Sequence, residues 1–205
     1  MPRSSSRTSA IVFAGGRATR LGGTNKALLA IGGRPIIDRT LEALGPLVDE
    51  WLALTNDVAL ADRRTLRLVP DLDPHAGVLP ALAGGLHAAS AELCLVVAGD
   101  LPFVSRQVFE RLLAIQAERW ADAVIPRVQQ QLQPMHAVYR RAEVLVAVEH
   151  ALAEGQRRMT SFFPLVRVVE VPPAELRAVD PDLRSFLNVN TPRDLVEAER
   201  LAHAG

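Results

Sequence analysis

Short apolar runs alternate with segments of helical length over the first 120 residues, and this alternation restricts the fold more than any other feature of the chain. The runs have the length of buried strands, and the segments between them carry apolar residues at spacings of three and four, which is typical of helices. The predicted strands are residues 10–14, 51–55, 66–70 and 93–98, and the predicted helices are residues 36–48, 79–89 and 104–120. Strands that alternate with helices pair in parallel. The sequence therefore predicts an α/β fold with a mostly parallel central sheet.

The second half of the chain is less regular but ends in a helix with a clear start signal. Predicted strands cover residues 123–128, 135–139 and 166–171, and Gly155 ends a predicted helix at residues 143–153. Thr191, Pro192 and Asp194 form a capping box with proline at the first helical position, so we predict a last helix up to residue 202. No linker divides the chain, and we expect a flexible tail at residues 1–9 and a single domain at residues 10–205.

Glycine or a polar residue follows each of four predicted strands. These residues are Gly15, Asn56, Asp71 and Asp100. Parallel α/β sheets bind their ligands outside the carboxyl ends of the strands. We therefore expect the four strand exits to converge on one binding site.

Charge balance and composition argue against several classes of function. The chain has 23 basic and 23 acidic residues, which argues against a nucleic-acid groove or an anionic membrane patch as its main role. No apolar run approaches the roughly 20 residues that cross a bilayer, and none fits a signal sequence, so we expect a cytoplasmic protein. Cys94 is the sole cysteine, so it forms no internal disulfide and no paired-thiolate site. We expect it to be a buried, inert thiol.

Positive charge is concentrated at the start of the chain. Within residues 1–40 the only acid is Asp38, whereas the basic residues are Arg3, Arg7, Arg17, Arg20, Lys26, Arg34 and Arg39. Lys26 is also the sole lysine of the protein. This part of the chain suits a polyanion such as a triphosphate.

The glycine-rich segment at residues 13–37 carries the strongest functional signal. Glycines allow the backbone to approach phosphates closely and to direct N–H groups at them, and Arg20 and Lys26 add positive charge. The glycines at the start of the segment are Gly15, Gly16, Gly22 and Gly23. The pattern fits neither a P-loop nor the dinucleotide-binding fingerprint. We interpret it as a phosphate cradle, and the alternative is a turn that only reverses the chain.

The sequence AGGRATRLGG at residues 14–23, followed by Asn25 and Lys26, resembles the signature of nucleotidyltransferases that make molybdenum cofactor dinucleotides. Among these, it is most similar to the molybdenum cofactor guanylyltransferase family. Further matches run along the chain at Asn56, Asp71, LAGGL (82–86), AGDLPFVS (98–105), QPMHAVYRR (133–141), EGQRRM (154–159) and NVNTPRDL (188–195). The resemblance implies a Rossmann-like three-layer nucleotidyltransferase fold.

The resemblance also implies roles for matching residues on the nucleotide side. The residues that would contact the nucleotide are Phe13, Ala14, Gly15 and Gly16, with Asn56 and Asp71 beside the nucleoside. Arg20 and Lys26 would hold the phosphates, and Asp100 matches the magnesium ligand of the family. An alternative for Asp100 is a structural cap after a buried strand. Magnesium prefers oxygen ligands from one or two carboxylates together with substrate phosphates, which favours the metal.

On the acceptor side, Asn188 and Asn190 match a pair near the metal and the acceptor. Arg157 and Arg158 would face the acceptor phosphate. Two segments depart from the family pattern. The family often has Gly-Pro-Leu-Ala-Gly where we align residues 80–84, which read PALAG. His136 lies in a second departure, and its contact with the acceptor is left open.

The expected reaction is transfer of GMP from GTP to molybdopterin with release of pyrophosphate, assisted by Mg²⁺. The family resemblance also implies transient contact with molybdoenzyme apoproteins. Three alternatives remain open at this stage. They are a cytidylyltransferase that uses CTP and the same pterin, a sugar-phosphate or alcohol-phosphate nucleotidyltransferase, and a non-enzymatic protein that retains the nucleotide site.

Overall fold

The structure, a computed structural model, describes residues 7–15, 25–63, 65–70 and 77–203. Its strands are β1 (Thr8–Phe13), β2 (Ala30–Ile31), β3 (Arg34–Pro35), β4 (Glu50–Leu54), β5 (Leu66–Val69), β6 (Leu93–Ala98), β7 (Ala123–Val128), β8 (Gln131–Leu132), β9 (His136–Arg140) and β10 (Val168–Val171). Its helices are α1 (Ile36–Leu44), α2 (Val78–Ala88), α3 (Arg106–Arg119), α4 (Arg141–Ala153), α5 (Pro173–Arg177) and α6 (Pro192–His203). The strands β1, β4, β5 and β6 and the helices α1, α2 and α3 fall where the apolar pattern predicts them, and a 3₁₀ turn lies between β4 and β5.

The central sheet has the strand order β10-β7-β9-β6-β1-β4-β5, with β8 paired to β7. Pairing is parallel between β1 and β4, β1 and β6, β4 and β5, and β7 and β10. In contrast, β9 is antiparallel to both of its neighbours, β6 and β7. The first residue of β9, His136, therefore lies opposite Val97 near the end of β6. The mostly parallel sheet is confirmed, and the reversed strand brings residues 133–136 to the edge where the parallel strands end.

Helices cover both faces of the sheet because successive side chains of each strand point to opposite sides. On one face, strand residues such as Val12 pack against α1 and α3, where Phe109 is fully buried. On the opposite face, strand residues such as Ile11 pack against α2 and α4. Burial of each such large side chain stabilises the fold by roughly 1.5–3 kcal/mol. The predicted Rossmann-like three-layer α/β arrangement is confirmed.

A small hairpin and the last helix form a third apolar cluster beside the sheet. Strands β2 and β3 pair across Gly32 and Gly33, whose φ angles of +57° and +72° favour glycine. The Gly32 amide donates a hydrogen bond of 2.9 Å to Glu199 of α6. The buried and partly buried members of this third cluster are Leu29, Ile31, Ile36, Phe103, Leu187, Val189, Leu195, Ala198 and Ala202.

Strand β1 begins at Thr8, so the prediction of a flexible tail is wrong for Thr8 and Ser9. Both residues are buried. The Ser9 hydroxyl donates a 2.6 Å hydrogen bond to Glu50, and the Thr8 hydroxyl donates to the carbonyl of Leu47. These bonds satisfy the two hydroxyls inside the fold. Residues 1–6 lie outside the described residues.

The predicted helix ends are confirmed at two sites and corrected at a third. The Thr191 hydroxyl accepts a 3.2 Å bond from the Asp194 amide, and the Asp194 carboxylate accepts a 2.8 Å bond from the Thr191 amide. Gly155, with φ of +75°, follows the end of α4 as a glycine cap. Helix α1 ends at Leu44 instead of residue 48, because Pro46 follows in a separate 3₁₀ turn.

Cys94 is buried in β6, as predicted. Burial raises the pKa of its thiol to about 12, so the group stays protonated and unreactive at neutral pH. Among the helices in the described part of the chain, none combines the length and the apolar character needed to cross a membrane.

Candidate active site

A cleft opens at the edge of the sheet where β1, β4 and β6 end. Its walls are formed by Phe13, Ala14, Gly15, Asn25, Lys26, Ala27, Leu54, Gly77, Val78, Ala81, Ala98, Gly99, Asp100 and Met135. The first turn of α2 opens onto this cleft, and unpaired N–H groups at a helix start attract anions. Gly15 and Asp100 both line the cleft, as expected from their positions after β1 and β6.

Backbone hydrogen bonds hold the strand exits together at the base of the cleft. The Ala14 amide donates to the Leu54 carbonyl at 3.1 Å, and the Gly99 amide donates to the Phe13 carbonyl at 3.0 Å. A Cβ atom on residue 99 would lie only 2.6 Å from the Phe13 carbonyl oxygen. Glycine is therefore required at residue 99, because it alone permits the close approach of β1 and β6 at their exits.

Lys26, Asp100 and Asn190 meet at the wall of the cleft and are called here the polar trio. The ammonium group of Lys26 donates a 3.0 Å hydrogen bond to Asp100 Oδ2 and a second bond to Asn190 Oδ1. The side chains of Lys26 and Asp100 are 22% and 19% exposed. This exposure leaves the ion pair accessible from the cleft but partly shielded from water. The structure thus brings together three residues that the resemblance placed in the site.

The third apolar cluster holds the polar trio in place. Leu29 follows Lys26 by three residues, and Phe103 follows Asp100 by three. Val189 directly precedes Asn190, and its amide donates a 2.9 Å bond to the Asp100 carbonyl. Packing between the C-terminal segment and the strand exits therefore sets the spacing of the three polar side chains.

The sequence allowed two interpretations of Asp100, a magnesium ligand and a structural cap. The hydrogen-bond donors around its carboxylate distinguish between them. Within the described residues, its carboxylate accepts a hydrogen bond from Lys26 and none from a backbone amide. A structural cap would require a backbone donor, so this arrangement does not support the cap interpretation.

The oxygen atoms of Asp100 and Asn190 suit a hard cation. Both accept a hydrogen bond from the Lys26 ammonium group, which is itself a cation. Carboxylate and amide oxygens are the ligand types that Mg²⁺ accepts. In the described ranges, no group of three or more His, Cys, Asp or Glu side chains could hold a metal. A single carboxylate would leave most of the coordination shell to phosphates and water, as is usual for Mg²⁺.

Three other predicted site residues are exposed, and one of them is placed at the rim of the cleft. Asn56 is exposed two residues after the end of β4, at the same edge of the sheet. Arg157 and Arg158 are also exposed. The carbonyl oxygen of Arg157 lies 3.6 Å from the place that a Cβ atom on residue 77 would occupy, so Arg157 is at the rim of the cleft. The guanidinium group of Arg157 donates to the carbonyl of Gln156 at 2.9 Å.

Asn188 and Asn190 do not face the same space. Asn190 contacts Lys26, whereas Asn188 is exposed and lines a separate cleft with Arg184 and Glu197. The paired role that the resemblance implies is therefore supported by position for Asn190 and not for Asn188.

His136 is buried away from the first cleft. It is 2% exposed and lies between the rings of Phe109 and Phe186, with centroid distances of 4.7 and 4.5 Å. Neither ring nitrogen has a hydrogen-bond partner within the described residues. Burial lowers the pKa of His136 to about 3, so the ring is neutral at physiological pH. The sequence left open whether His136 contacts the acceptor, and in the structure its ring packs between two phenylalanine rings and is not part of the lining of the cleft.

Three predicted residues, Gly16, Arg20 and Asp71, lie outside the described residues, and their roles remain predictions.

Two basic residues of the N-terminal part of the chain bind other residues of the protein and so stabilise the fold. Arg34 forms an ion pair with Glu42, and Arg39 donates to the carbonyl of Ile31 at 3.0 Å.

Among the residues of the cleft wall that the sequence analysis did not assign to the site are Met135, Gly77 and Asn25. Met135 reaches the cleft through the reversal of β9, which an apolar pattern does not reveal. Gly77, with φ of +100°, is the N-cap of α2. A glycine that precedes a predicted helix could have indicated this position. Asn25 was noted only as part of the family signature, although its position beside the sole lysine was a signal.

Comparison with protein-family models matches residues 10–168 to the MobA-like NTP transferase domain. A probable molybdenum cofactor guanylyltransferase from Methanosarcina acetivorans is 36% identical, and the match covers 91% of this chain and 88% of that protein. A molybdenum cofactor guanylyltransferase from Desulfosudis oleivorans is 33% identical over 95% of this chain and 96% of its own length.

A solved structure has a closely similar fold. It is molybdopterin-guanine dinucleotide biosynthesis protein A from Archaeoglobus fulgidus, with a TM-score of 0.80 and 27% sequence identity. The similarity covers 97% of this chain and all of that chain. All three comparisons agree with the resemblance identified from the sequence motifs.

Proposed function

This chain belongs to the MobA-like NTP transferase domain family and, within it, to the molybdenum cofactor guanylyltransferases, and we propose that it transfers GMP from GTP to molybdopterin. The observation that carries the proposal is the polar trio at the wall of the strand-exit cleft. A cation, a carboxylate and an amide oxygen there form a site for a triphosphate and its counter-ion. The family membership supplies the identity of the two substrates.

The reaction forms a bond from a terminal phosphate oxygen of molybdopterin to the α-phosphorus of GTP. The bond from the α-phosphorus to the α,β-bridging oxygen breaks, and pyrophosphate leaves with the electron pair. The attacking phosphate is already an anion, so no general base is needed. Positioning and charge neutralisation supply the catalysis, as in other phosphoryl transfers.

Lys26 must change partners during this reaction. In the structure its ammonium group is bound by Asp100 and Asn190. A triphosphate in the cleft offers this group stronger anionic partners, and Lys26 then offsets the charge that develops on the leaving pyrophosphate. We propose that Arg20 assists in the same role.

Asp100 and Asn190 are the residues that would hold Mg²⁺ after Lys26 has moved to the phosphates. A bound Mg²⁺ would supply charge neutralisation at the triphosphate oxygens. The proposal for the nucleoside side remains that Asn56, Asp71 and residues 13–16 bind the nucleoside and the adjacent phosphate.

A direct assay distinguishes this function from its alternatives. The protein is incubated with molybdopterin, Mg²⁺ and one of the four ribonucleoside triphosphates, and pyrophosphate release is measured. Release with GTP alone is expected. Release with CTP alone would indicate a cytidylyltransferase, and release that requires a sugar phosphate in place of molybdopterin would indicate the third class. Nucleotide binding without turnover would indicate a binding protein.

Arg157 and Arg158 are predicted to serve molybdopterin, because both are exposed after α4 and Arg157 lies at the rim of the cleft. Replacement of both by alanine should raise the KM for molybdopterin roughly tenfold or more, since charge-assisted hydrogen bonds contribute about 1.5–3 kcal/mol each. The KM for GTP should change less than threefold in the same steady-state assay.

The matched control for this prediction is the double variant Arg119→Ala, Arg167→Ala. It also removes two exposed arginines, but Arg119 is the last residue of α3 and Arg167 directly precedes β10, at the opposite edge of the sheet. It should leave both KM values unchanged. Equal increases for the two substrates in Arg157→Ala, Arg158→Ala would rule out the assignment to the acceptor.

Localisation and partners complete the proposal. We propose that the protein acts in the cytoplasm, where GTP and Mg²⁺ are abundant. The dinucleotide product must be taken up by a molybdoenzyme apoprotein, so transient contact with such apoproteins is also proposed.

A further inference from the structure

Asn25 uses both polar ends of its side chain to bind the backbone. Its Nδ2 donates a 2.7 Å hydrogen bond to the Ala14 carbonyl, and its Oδ1 accepts a 3.0 Å bond from the Ala27 amide. The residue is only 5% exposed. Water cannot readily replace these bonds, so loss of the side chain would leave buried backbone groups unpaired. The side chain therefore ties the exit of β1 to the segment that carries Lys26.

Lys26 begins the one-turn 3₁₀ helix Lys26–Leu28, and Asn25 is the N-cap of this turn. The Asn25 carbonyl also accepts a 3.0 Å bond from the Leu28 amide. Ala27, which follows Lys26, is buried. Its Cβ atom lies 3.3 Å from the place that a Cβ atom on residue 99 would occupy. The turn therefore packs against the ends of β1 and β6, beside Gly99, the residue that precedes Asp100.

We propose that Asn25 is a positioning residue for Lys26, because it fixes the backbone from which the ammonium group reaches Asp100 and, during the reaction, the triphosphate. This inference rests on the proposed function for its catalytic consequence but not for its structural one. Lysine carries its charge on a long, flexible stem, so the position of its Cα decides which groups the ammonium reaches. A displacement of about 1 Å is enough to reduce turnover roughly 100-fold.

The competing explanation is that Asn25 contributes only to the stability of the fold. Gln116 provides a matched control, because it is also a side-chain amide that is 5% exposed and donates to a backbone carbonyl, that of Ala121 at 3.2 Å. Gln116 lies in α3, away from the cleft wall. Asn25→Ala and Gln116→Ala should both lower the melting temperature, and they should differ in every measurement that reports on Lys26.

The first such measurement is the rate of amine labelling at Lys26 in the nucleotide-free protein. Lys26 is the sole lysine, so a peptide map separates its signal from that of the α-amino group. In the parent protein we expect the bonds to Asp100 and Asn190 to slow the reaction. Asn25→Ala should label at least threefold faster, and Gln116→Ala should match the parent. Labelling of Asn25→Ala at the parent rate would overturn the inference, whatever reaction the protein catalyses.

The second measurement is a double-mutant cycle on single-turnover kcat/KM for GTP. Asn25→Ala should reduce this value roughly 100-fold in the parent background and less than threefold in a Lys26→Met background, since both changes then act through the same ammonium group. Equal losses in the two backgrounds would show a role independent of Lys26. An inactive parent protein would instead contradict the proposed function, while the labelling result would still decide the role of Asn25.

Discussion

Replacing Asp100 with asparagine is expected to slow GMP transfer by about 100- to 10,000-fold, because the charge that holds the metal is lost. Asparagine keeps the size of the side chain and can still accept a bond from Lys26. The substitution leaves the backbone groups of Gly99, Asp100 and Val189 in place, so their hydrogen bonds should be retained. The melting temperature should therefore remain close to that of the parent. Single-turnover rates over a range of Mg²⁺ concentrations, together with thermal melting, measure both effects.

Asp122→Asn is the matched control for Asp100→Asn. Asp122 is also partly buried, but it precedes β7 at the opposite edge of the sheet, and its carboxylate accepts a 2.8 Å bond from the Arg167 amide. The control should retain the parent rate at every Mg²⁺ concentration. Full activity of Asp100→Asn at low Mg²⁺ would eliminate Asp100 as the metal ligand and direct attention to Asp71 and Asn190.

Lys26→Met is expected to have opposite effects on turnover and on metal binding. Turnover should fall roughly 100- to 1,000-fold, as is typical when a group that stabilises transition-state charge is removed. The nucleotide-free protein, however, should bind Mn²⁺ about tenfold more tightly, because a positive charge no longer pairs with Asp100. Titration of Mn²⁺ by electron paramagnetic resonance measures this affinity without any turnover.

Arg34→Met is the control, since it also removes one positive charge from the N-terminal part of the chain. Arg34 is paired with Glu42 on the surface, and its loss should change neither turnover nor Mn²⁺ affinity. Unchanged or weaker Mn²⁺ binding by Lys26→Met would contradict the partner exchange proposed for Lys26. Lys26→Arg should also lose activity, because a planar guanidinium cannot reproduce the reach of the ammonium group.

The layers of the fold were predictable because buried strands and amphipathic helices leave strong local patterns. The consecutive apolar residues Ala10, Ile11 and Val12 indicate a strand buried on both faces. In the structure, helices cover both faces of this strand. The direction of β9 was not predictable, since an apolar run indicates a strand but not its orientation. Strands β2 and β3 were missed because each contains only two residues, too few for a periodic pattern.

The members of the site were easier to predict than their contacts. Family resemblance assigned Lys26, Asp100 and Asn190, but 164 residues separate Lys26 from Asn190, and only the tertiary packing of Val189 and Leu29 brings these side chains together. Local sequence could not separate Asn188 from Asn190, although they face different clefts. The role of His136 was left open because its burial depends on Phe186, which comes from a distant segment.

The fate of the phosphorus atoms of GTP provides the most direct test of the proposed function. The protein is incubated with molybdopterin, Mg²⁺ and GTP labelled with ³²P at either the α or the γ position, and the products are separated by chromatography. Label from the α position should appear in a pterin guanine dinucleotide, and label from the γ position should appear only in pyrophosphate. Transfer of γ label to the pterin, or release of γ label as inorganic phosphate with no α label on the pterin, would contradict nucleotidyl transfer by this protein.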